Sequence, residues 1–266
     1  MTRRIVGMIS LAFLIVIFLA CAFPQLLTSR NPNAINFDEK FSSPSRLHPM
    51  GTDELGRDLF ARVLYGGRVT IGSSLIIAVA SMLIATIWSA LSAYTGGIWD
   101  EVMTRIADIL MIIPTLLFAL LLVSVLTPGI RSLVLALTLV RWPSYARILR
   151  GQIFSILGAE YLVAAVSIGA NPLRIIRRHV IPNAMSLVVT LFGLNFASSI
   201  LGISSLSFLG FGVQLPQAEW GAMINAARPF LQLHPYLMFF PGIAIIATIL
   251  FANLSVRFLE PYEQRN

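Results

Sequence analysis

Long apolar runs alternate with short polar breaks along the whole chain, and six of the runs approach the length that crosses a bilayer. They extend from Ile5 to about Phe23, Val69 to Tyr94, Ile109 to Leu126, Ser132 toward Ile148, Met185 to Ser205, and Tyr236 to Val256. The pattern predicts an all-α, polytopic membrane protein with six transmembrane helices. Arg141 and Pro143 interrupt the fourth run, and an arginine at that depth either snorkels or faces protein. Pro114 lies inside the third run and predicts a kink. No Gly/Ser-rich linker or low-complexity tract divides the chain, so it reads as one membrane domain. Residues 1–27 form an N-terminal transmembrane helix, and residues 28–68 are the one sizeable external segment. In that segment Asp53 is expected to cap an interfacial helix with the apolar stripe Leu55, Leu59 and Val63. Asp53 with Arg57, and Asp58 with Arg62, stand four apart as ion pairs. Gly66 and Gly67 permit a sharp turn into the second span.

Composition sharpens this picture. Hydrophobic residues make up 57% of the chain and charged residues 12%, which places it in the integral-membrane class. The net charge of +7 is almost all arginine, spread between spans rather than interleaved with aromatics, so nucleic-acid binding is excluded as the reason for it. Arginines flanking spans are an orientation device. Arg3, Arg4, Arg105, Arg147, Arg150, Arg174, Arg177, Arg178, Arg257 and Arg265 fall on one side if the spans alternate. The basic residues of the opposite side lie mostly in residues 28–68, where acids nearly balance them. Both termini are therefore expected in the cytoplasm. Arg3 and Arg4, an apolar run and then Leu19-Ala20-Cys21 have the order of a secretory signal ending at a lipid-modified cysteine. The apolar run continues past Cys21, however, and is long enough to span, which favours a cysteine packed inside a helix.

Chemistry-bearing residues are sparse. His48, His179 and His234 are far apart and Cys21 is alone, so no metal or disulfide framework is expected. There is no nucleotide-binding P-loop, no HExxH and no GxSxG. A membrane-embedded enzyme would need paired catalytic groups inside spans, and none stands out. Glu101, Arg105 and Asp108 share one face at the entrance of the third span and read as an ion-pair cluster at a helix end.

The polar break from Glu160 to Pro182 is different, because it carries order of its own: EYLVAAVSIGANPLRIIRRHVIP. Tyr161, Ala164, Ala165 and Ile168 recur at helical spacing, and Gly169 follows where a helix end favours a left-handed residue. Asn171 is a good N-cap, and Pro172 sits at the first position of a second helix. That helix is expected to present Leu173, Ile176 and Val180 on one side and Arg174, Arg177 and Arg178 on the other, with Pro182 stopping it before the fifth span. A rigid right-angle element of this kind suits helix-in-groove docking to a partner. An amphipathic helix lying on lipid headgroups fits the spacing equally well.

The fifth span places small residues four apart, Gly193 with Ala197 and Ser198 with Gly202, and carries Asn195 within the membrane. Close helix packing explains this pattern first, and a translocation path second.

The order Ala164-Ala165, Gly169, Pro182 resembles the EAA loop of ABC-importer permeases, with Val163 where the glutamate would stand, Glu160 three residues earlier, and His179 and Ile181 at the aliphatic and leucine positions. Residues Gly51 to Gly72, GTDELGRDLFARVLYGGRVTIG, resemble the signature of the second permease subunit of dipeptide, oligopeptide and nickel importers, with Ala61 replacing a serine. WPSYARILR from Trp142, PNAMSLV from Pro182, LSFLGFGVQLP from Leu206 and EWGAMI from Glu219 extend the likeness over nearly everything after the first span.

The resemblance implies a MetI-like permease core of five helices over residues 69–258, with a coupling loop at 155–183 and a cytoplasmic tail at 259–266. It implies a bacterial cytoplasmic membrane, a homologous permease partner, two ABC ATPase subunits that use ATP and Mg, and an external or periplasmic solute-binding protein. No cofactor is expected on this chain. Glu160, Tyr161, Ala164, Ala165, Gly169, Pro172, Arg174, Arg177, His179 and Pro182 would couple to the ATPases. Gly193, Asn195, Ala197, Ser198 and Gly202 are the path candidates. Glu219, Trp220 and Gly221 would meet the binding protein, although Trp220 alone would read as an aromatic-belt anchor. Short peptides and nickel or metallophore chelates remain equal as substrates. A channel would share the hydropathy without needing the docking elbow.

Overall fold

The computed structural model describes residues 2–162 and 171–259. Among these the chain is all-helical, with one isolated bridge and no strand. The helices are α1 (Thr2–Ala22), α2 (Leu59–Thr95), α3 (Gly97–Ile112), α4 (Thr115–Val125), α5 (Ile130–Leu157), α6 (Pro172–Ile175), α7 (Ile181–Phe208), α8 (Trp220–Ala227) and α9 (Tyr236–Leu259). A π segment, Ile176–Val180, joins α6 to α7.

Among the described residues four helical stretches are long and apolar enough to cross a membrane: Ile5–Ala22, Leu59–Ala93, Ile176–Phe208 and Tyr236–Val256. Helices α3 and α4 make a fifth if they count as one span, but they meet at 85°. The expected kink at Pro114 is thus a full break. Ile113 is forced into an extended conformation (φ −84, ψ 129) by the proline that follows it. The expected fourth span falls on α5, which is 28 residues long and uninterrupted through Pro143 but is not among those stretches. Proline forfeits one backbone bond there, a loss membrane helices tolerate when neighbours pack around it, and both Trp142 and Pro143 are buried.

Helix α2, with 37 residues, is about 55 Å long at 1.5 Å per residue and outruns the bilayer. Its start corrects two expectations. Asp58, not Asp53, is the N-cap, accepting from Ala61 N at 2.8 Å. Asp53 instead holds a turn by accepting from Leu55 N and Arg57 N, both at 3.0 Å. Gly66 and Gly67 lie inside the continuous helix rather than at a corner. Gly67 serves packing: a Cβ there would overlap Cys21 Sγ and stand 2.5 Å from Trp220 Cζ2. Cys21 is accordingly buried at the end of α1.

Residues 28–58 and the segments around α8 form a cap on one end of the bundle. Its central charges, Asp53, Arg57, Asp58 and Arg62, are buried and matched. Arg57 Nε donates to Asp53 Oδ2 at 2.7 Å, and Arg57 Nη2 to Glu54 Oε1 at 2.9 Å. Arg62 turns to Asp53 (3.4 Å) and Pro32 O (3.0 Å) rather than to Asp58, whose carboxylate lies 2.8 Å from His48 Nδ1. The expected Asp58–Arg62 pair is therefore absent, because the turn points Asp58 inward as a cap. Phe41 stacks on His234 at 4.2 Å, and the Tyr236 hydroxyl donates to Thr52 O at 3.1 Å, tying the cap to α9.

Helices α2, α5 and α7 form the centre of the bundle, while α1 packs on α9 through the stacked Phe13 and Phe251, 5.0 Å apart. Alternate faces of α1, α3 and α4 leave large apolar side chains such as Ile9, Val16, Ile109 and Leu117 exposed, as lipid or a partner requires.

Candidate functional site

Three places gather the candidate residues. The first is the elbow end, opposite the cap. Pro172 opens α6, and Asn171 O accepts from Arg174 N at 3.0 Å and Ile175 N at 3.1 Å. The helix does not stop at Pro182. Through the π segment it continues into α7, with Ile181 N donating to Ile176 O. The wider π turn accommodates a proline that cannot donate and would crowd a regular turn. Val180 and Ile175 pack with Ala93, Ile153 and Leu162 inside the chain, so this apolar side faces its own bundle and not a partner's groove. Arg174, Arg177 and Arg178 are exposed on the outer side, as are Glu160, Tyr161 and Pro182. The Tyr161 and His179 rings stand 5.9 Å apart, and Asn183 Nδ2 donates to His179 O at 2.7 Å. Ala164, Ala165 and Gly169 lie outside the described residues.

At the same end Arg150 forks onto Asp100, with Nε–Oδ1 at 2.7 Å, joining α5 to α3. Sequence reasoning missed this pair because the partners are fifty residues apart. The expected Glu101–Arg105–Asp108 cluster is divided: Glu101 pairs with Arg105 at 3.5 Å, while Asp108 faces Arg147 at 3.4 Å.

The second place is mid-bundle. Asn195 is 0% exposed and bridges helices: its Nδ2 donates to Ser81 Oγ on α2 at 2.6 Å, and its Oδ1 accepts from Ser199 Oγ at 3.3 Å. Ala197 is buried, and a Cβ on Gly193 would overlap Val256 Cγ2. These three are packing residues. Ser198 and Gly202 instead border a cavity of about 350 Å³. Thr115, Arg141, Ser144, Tyr145 and Ser205 line it as well. Arg141 Nη1 donates to Ser198 Oγ and Nη2 to Ser198 O, both at 2.6 Å. Arg141, Ser144 and Tyr145 share a face of α5 by their i, i+3, i+4 spacing. That polar face within an apolar run was the signal in the sequence.

The third place is the cap side of α7. Glu219 and Trp220 are 0% and 1% exposed, and Gly221 is buried too. Glu219 caps α8: Oε1 accepts from Gly221 N at 3.0 Å and Oε2 from Ala222 N at 2.9 Å, with the Thr70 hydroxyl 2.9 Å from Oε1. Burial pushes its carboxyl above the ordinary range, against the opposing pull of those donors. Trp220 Nε1 donates to Val63 O at 2.8 Å. A Cβ on Gly221 would overlap the Ser204 backbone. In this conformation the Glu219 and Trp220 side chains fix α8 to α2, and Gly221 lets α8 pack closely on α7, rather than presenting a surface.

A bundle of long apolar helices with a cavity between α5 and α7 is an architecture that suits a transport subunit. Residues 82–263 match the family described as "Binding-protein-dependent transport system inner membrane component". The chain is 36% identical over 248 residues to the oligopeptide transport system permease protein OppC of Bacillus subtilis (strain 168), covering 93% of this chain and 81% of that one. To the glutathione transport system permease protein GsiD of Pectobacterium atrosepticum it is 35% identical, covering 90% and 80% respectively. A chain of the inward-facing MetNI methionine ABC transporter (CY5 SeMet soak crystal form) superposes with a TM-score of 0.63 at 15% identity, covering 75% of this chain and 97% of that one, which shows the fold. The chain belongs to the binding-protein-dependent inner-membrane component family and is a permease subunit of an ABC importer. Such subunits are not catalytic and bind no cofactor, and separate ATPase subunits hydrolyse ATP. A partner permease, an ATPase and a substrate-binding protein complete the transporter.

Proposed function

We propose that this chain forms half of the translocation path of a bacterial importer of short peptides. Its sister is a homologous permease, and two ATPase subunits that use ATP and Mg dock at the elbow. A solute-binding protein delivers substrate at the capped end. The observation that carries the peptide reading is the similarity, over nine-tenths of the chain, to permeases named for oligopeptides and for glutathione, itself a tripeptide. No comparable observation favours nickel or a metallophore.

In this reading the chain lies in the cytoplasmic membrane with both termini and the elbow inside. Six spans follow if α5 and the α3–α4 pair each cross once. ATP binding closes the ATPase pair and pulls the elbow. The elbow's second half is a suitable lever because from Pro172 it runs without a break into α7, whose Ser198 and Gly202 border the cavity. Glu160, Tyr161, Arg174, Arg177, His179 and Pro182 are the coupling surface of this proposal, with Ala164, Ala165, Gly169 and Pro172 completing the loop.

The test is uptake of labelled trialanine and glutathione by cells stripped of other peptide importers. Uptake that requires both this chain and its binding protein is the expected result. A fully assembled transporter that takes up neither would refute the peptide reading.

A further inference from the structure

We propose that Arg141 is a carboxylate-binding station inside the translocation path, a claim that deepens the peptide-importer reading and rests on it for the identity of the ligand. The starting point is a charge with no counterpart. Arg141 lies eleven residues from the Ile130 end of α5, about 16 Å along the axis. Ser198 lies ten residues from the Phe208 end of α7, about 15 Å along it. Both therefore sit near the middle of a hydrocarbon core about 30 Å thick. A guanidinium at that depth is costly unless something neutralises it.

Among the described residues nothing does. Arg141 is bonded to the hydroxyl and carbonyl of Ser198 and interacts with the Tyr145 hydroxyl one turn along α5, none of them a carboxylate, and its Nε is buried with no hydrogen-bond partner. Arginines nearer the two ends of the bundle are treated differently: Arg57 and Arg62 have Asp53, and Arg150 has Asp100. The acid that answers Arg141 comes from outside the described residues.

The surroundings say what kind of visitor it is. The cavity beside the guanidinium holds about 350 Å³, room for roughly ten waters at about 30 Å³ each. Thr115, Ser144 and Ser205 add hydroxyls to its wall. Leu116 and Leu201 make part of the wall apolar, but a guanidinium with hydroxyls beside it at that depth turns toward protein or a water-filled path rather than lipid. A chamber of that size is a poor socket for one fixed side chain of a sister permease and a good stopping place for the end of a peptide. Guanidinium forks match carboxylates in geometry as well as charge. Ser198 holds the fork in place, and a single unreinforced charge lets the ligand leave again, as passage requires.

Two measurements on the whole transporter in membranes test this. In the first, Ser144→Cys on a Cys21→Ala background is labelled with the anionic sulfonatoethyl methanethiosulfonate and the cationic trimethylammonioethyl analogue. The anionic reagent should be favoured, acetate and trialanine should slow it, and Arg141→Gln should lower the preference by about tenfold. In the second, Arg141→Gln should cut uptake of trialanine by about tenfold and spare trialanine amide, with Arg141→Lys in between.

An unchanged reagent preference in Arg141→Gln overturns the site. Equal loss of both peptides, together with loss of the sister permease on co-purification, also overturns it and assigns the missing acid to the sister. If the wild type carries neither peptide but keeps an acetate-sensitive anionic preference, the carboxylate site stands and the peptide reading falls.

Discussion

The capped end and the elbow end of this molecule both display arginines, and they use them in opposite ways. In the cap Arg57 and Arg62 are 2% and 4% exposed and each is locked to Asp53. At the elbow Arg174, Arg177 and Arg178 stand exposed on the outer side of a helix whose inner side is apolar and packed. Buried, paired charge fixes geometry, because removing either partner strands the other. Exposed charge contributes little to stability and is free to meet something else. One end is built to hold its shape and the other to present a surface.

The cap should therefore break hardest. Arg57→Ala leaves Asp53 buried with one partner fewer, and the cost expected for breaking such a pair is about 3–5 kcal/mol. Trp220→Ala empties a fully buried ring site and also forfeits the bond to Val63 O, a loss of about 3–5 kcal/mol. Both should lower the unfolding midpoint of the purified chain steeply. A midpoint unmoved by Arg57→Ala would mean that the network is ornamental and that the contrast between the two ends is false.

The same contrast explains what was legible in the sequence. Apolar runs locate α1, α2, α7 and α9 because lipid imposes hydropathy on each residue in turn. The elbow's amphipathic second half was legible in part: Val180 is inward and the arginines outward as expected, but Ile175 rather than Ile176 is the buried isoleucine. Where two distant segments decide, local spacing misled. Asp58 and Arg62 have ion-pair spacing yet choose His48 and Asp53, because a turn and not a helix precedes α2. Glu219 and Trp220 look like surface residues after a span, and only the approach of Thr70 and Val63 from α2 shows that they are interior. Arg141 was legible as an anomaly, but its partner Ser198, fifty-seven residues on, was not.

A smaller effect sharpens the account of the cap. Glu219 is buried, and its carboxyl titrates above the ordinary value of 4.5. The folded chain thus keeps a proton that the unfolded chain has released. Stability from this group is full below pH 4.5 and is lost as pH rises through the folded value. The wild-type midpoint minus that of Glu219→Gln should therefore decline as pH is raised from 4.5 and then level off. A difference that stays flat, or that rises with pH, would show that the amide donors of α8 outweigh burial and that Glu219 is an ordinary ionised cap.

The smallest effect on stability belongs to the elbow, and there the contrast is most exposed to failure. Arg174 and Arg177 are exposed and outside every ion pair among the described residues. Reversing both, Arg174→Glu with Arg177→Glu, should change stability by no more than about 0.5 kcal/mol, as for other surface substitutions. The sister permease should still co-purify, since nothing in the bundle has changed. The ATPases should not, if they dock through this positive face, and peptide uptake should fall with them. If the midpoint drops as far as it does for Arg57→Ala, these arginines hold the elbow together and do not display it. If stability, ATPases and uptake all persist, the lever is worked from another surface, and the continuous path from elbow to α7 loses its assigned role.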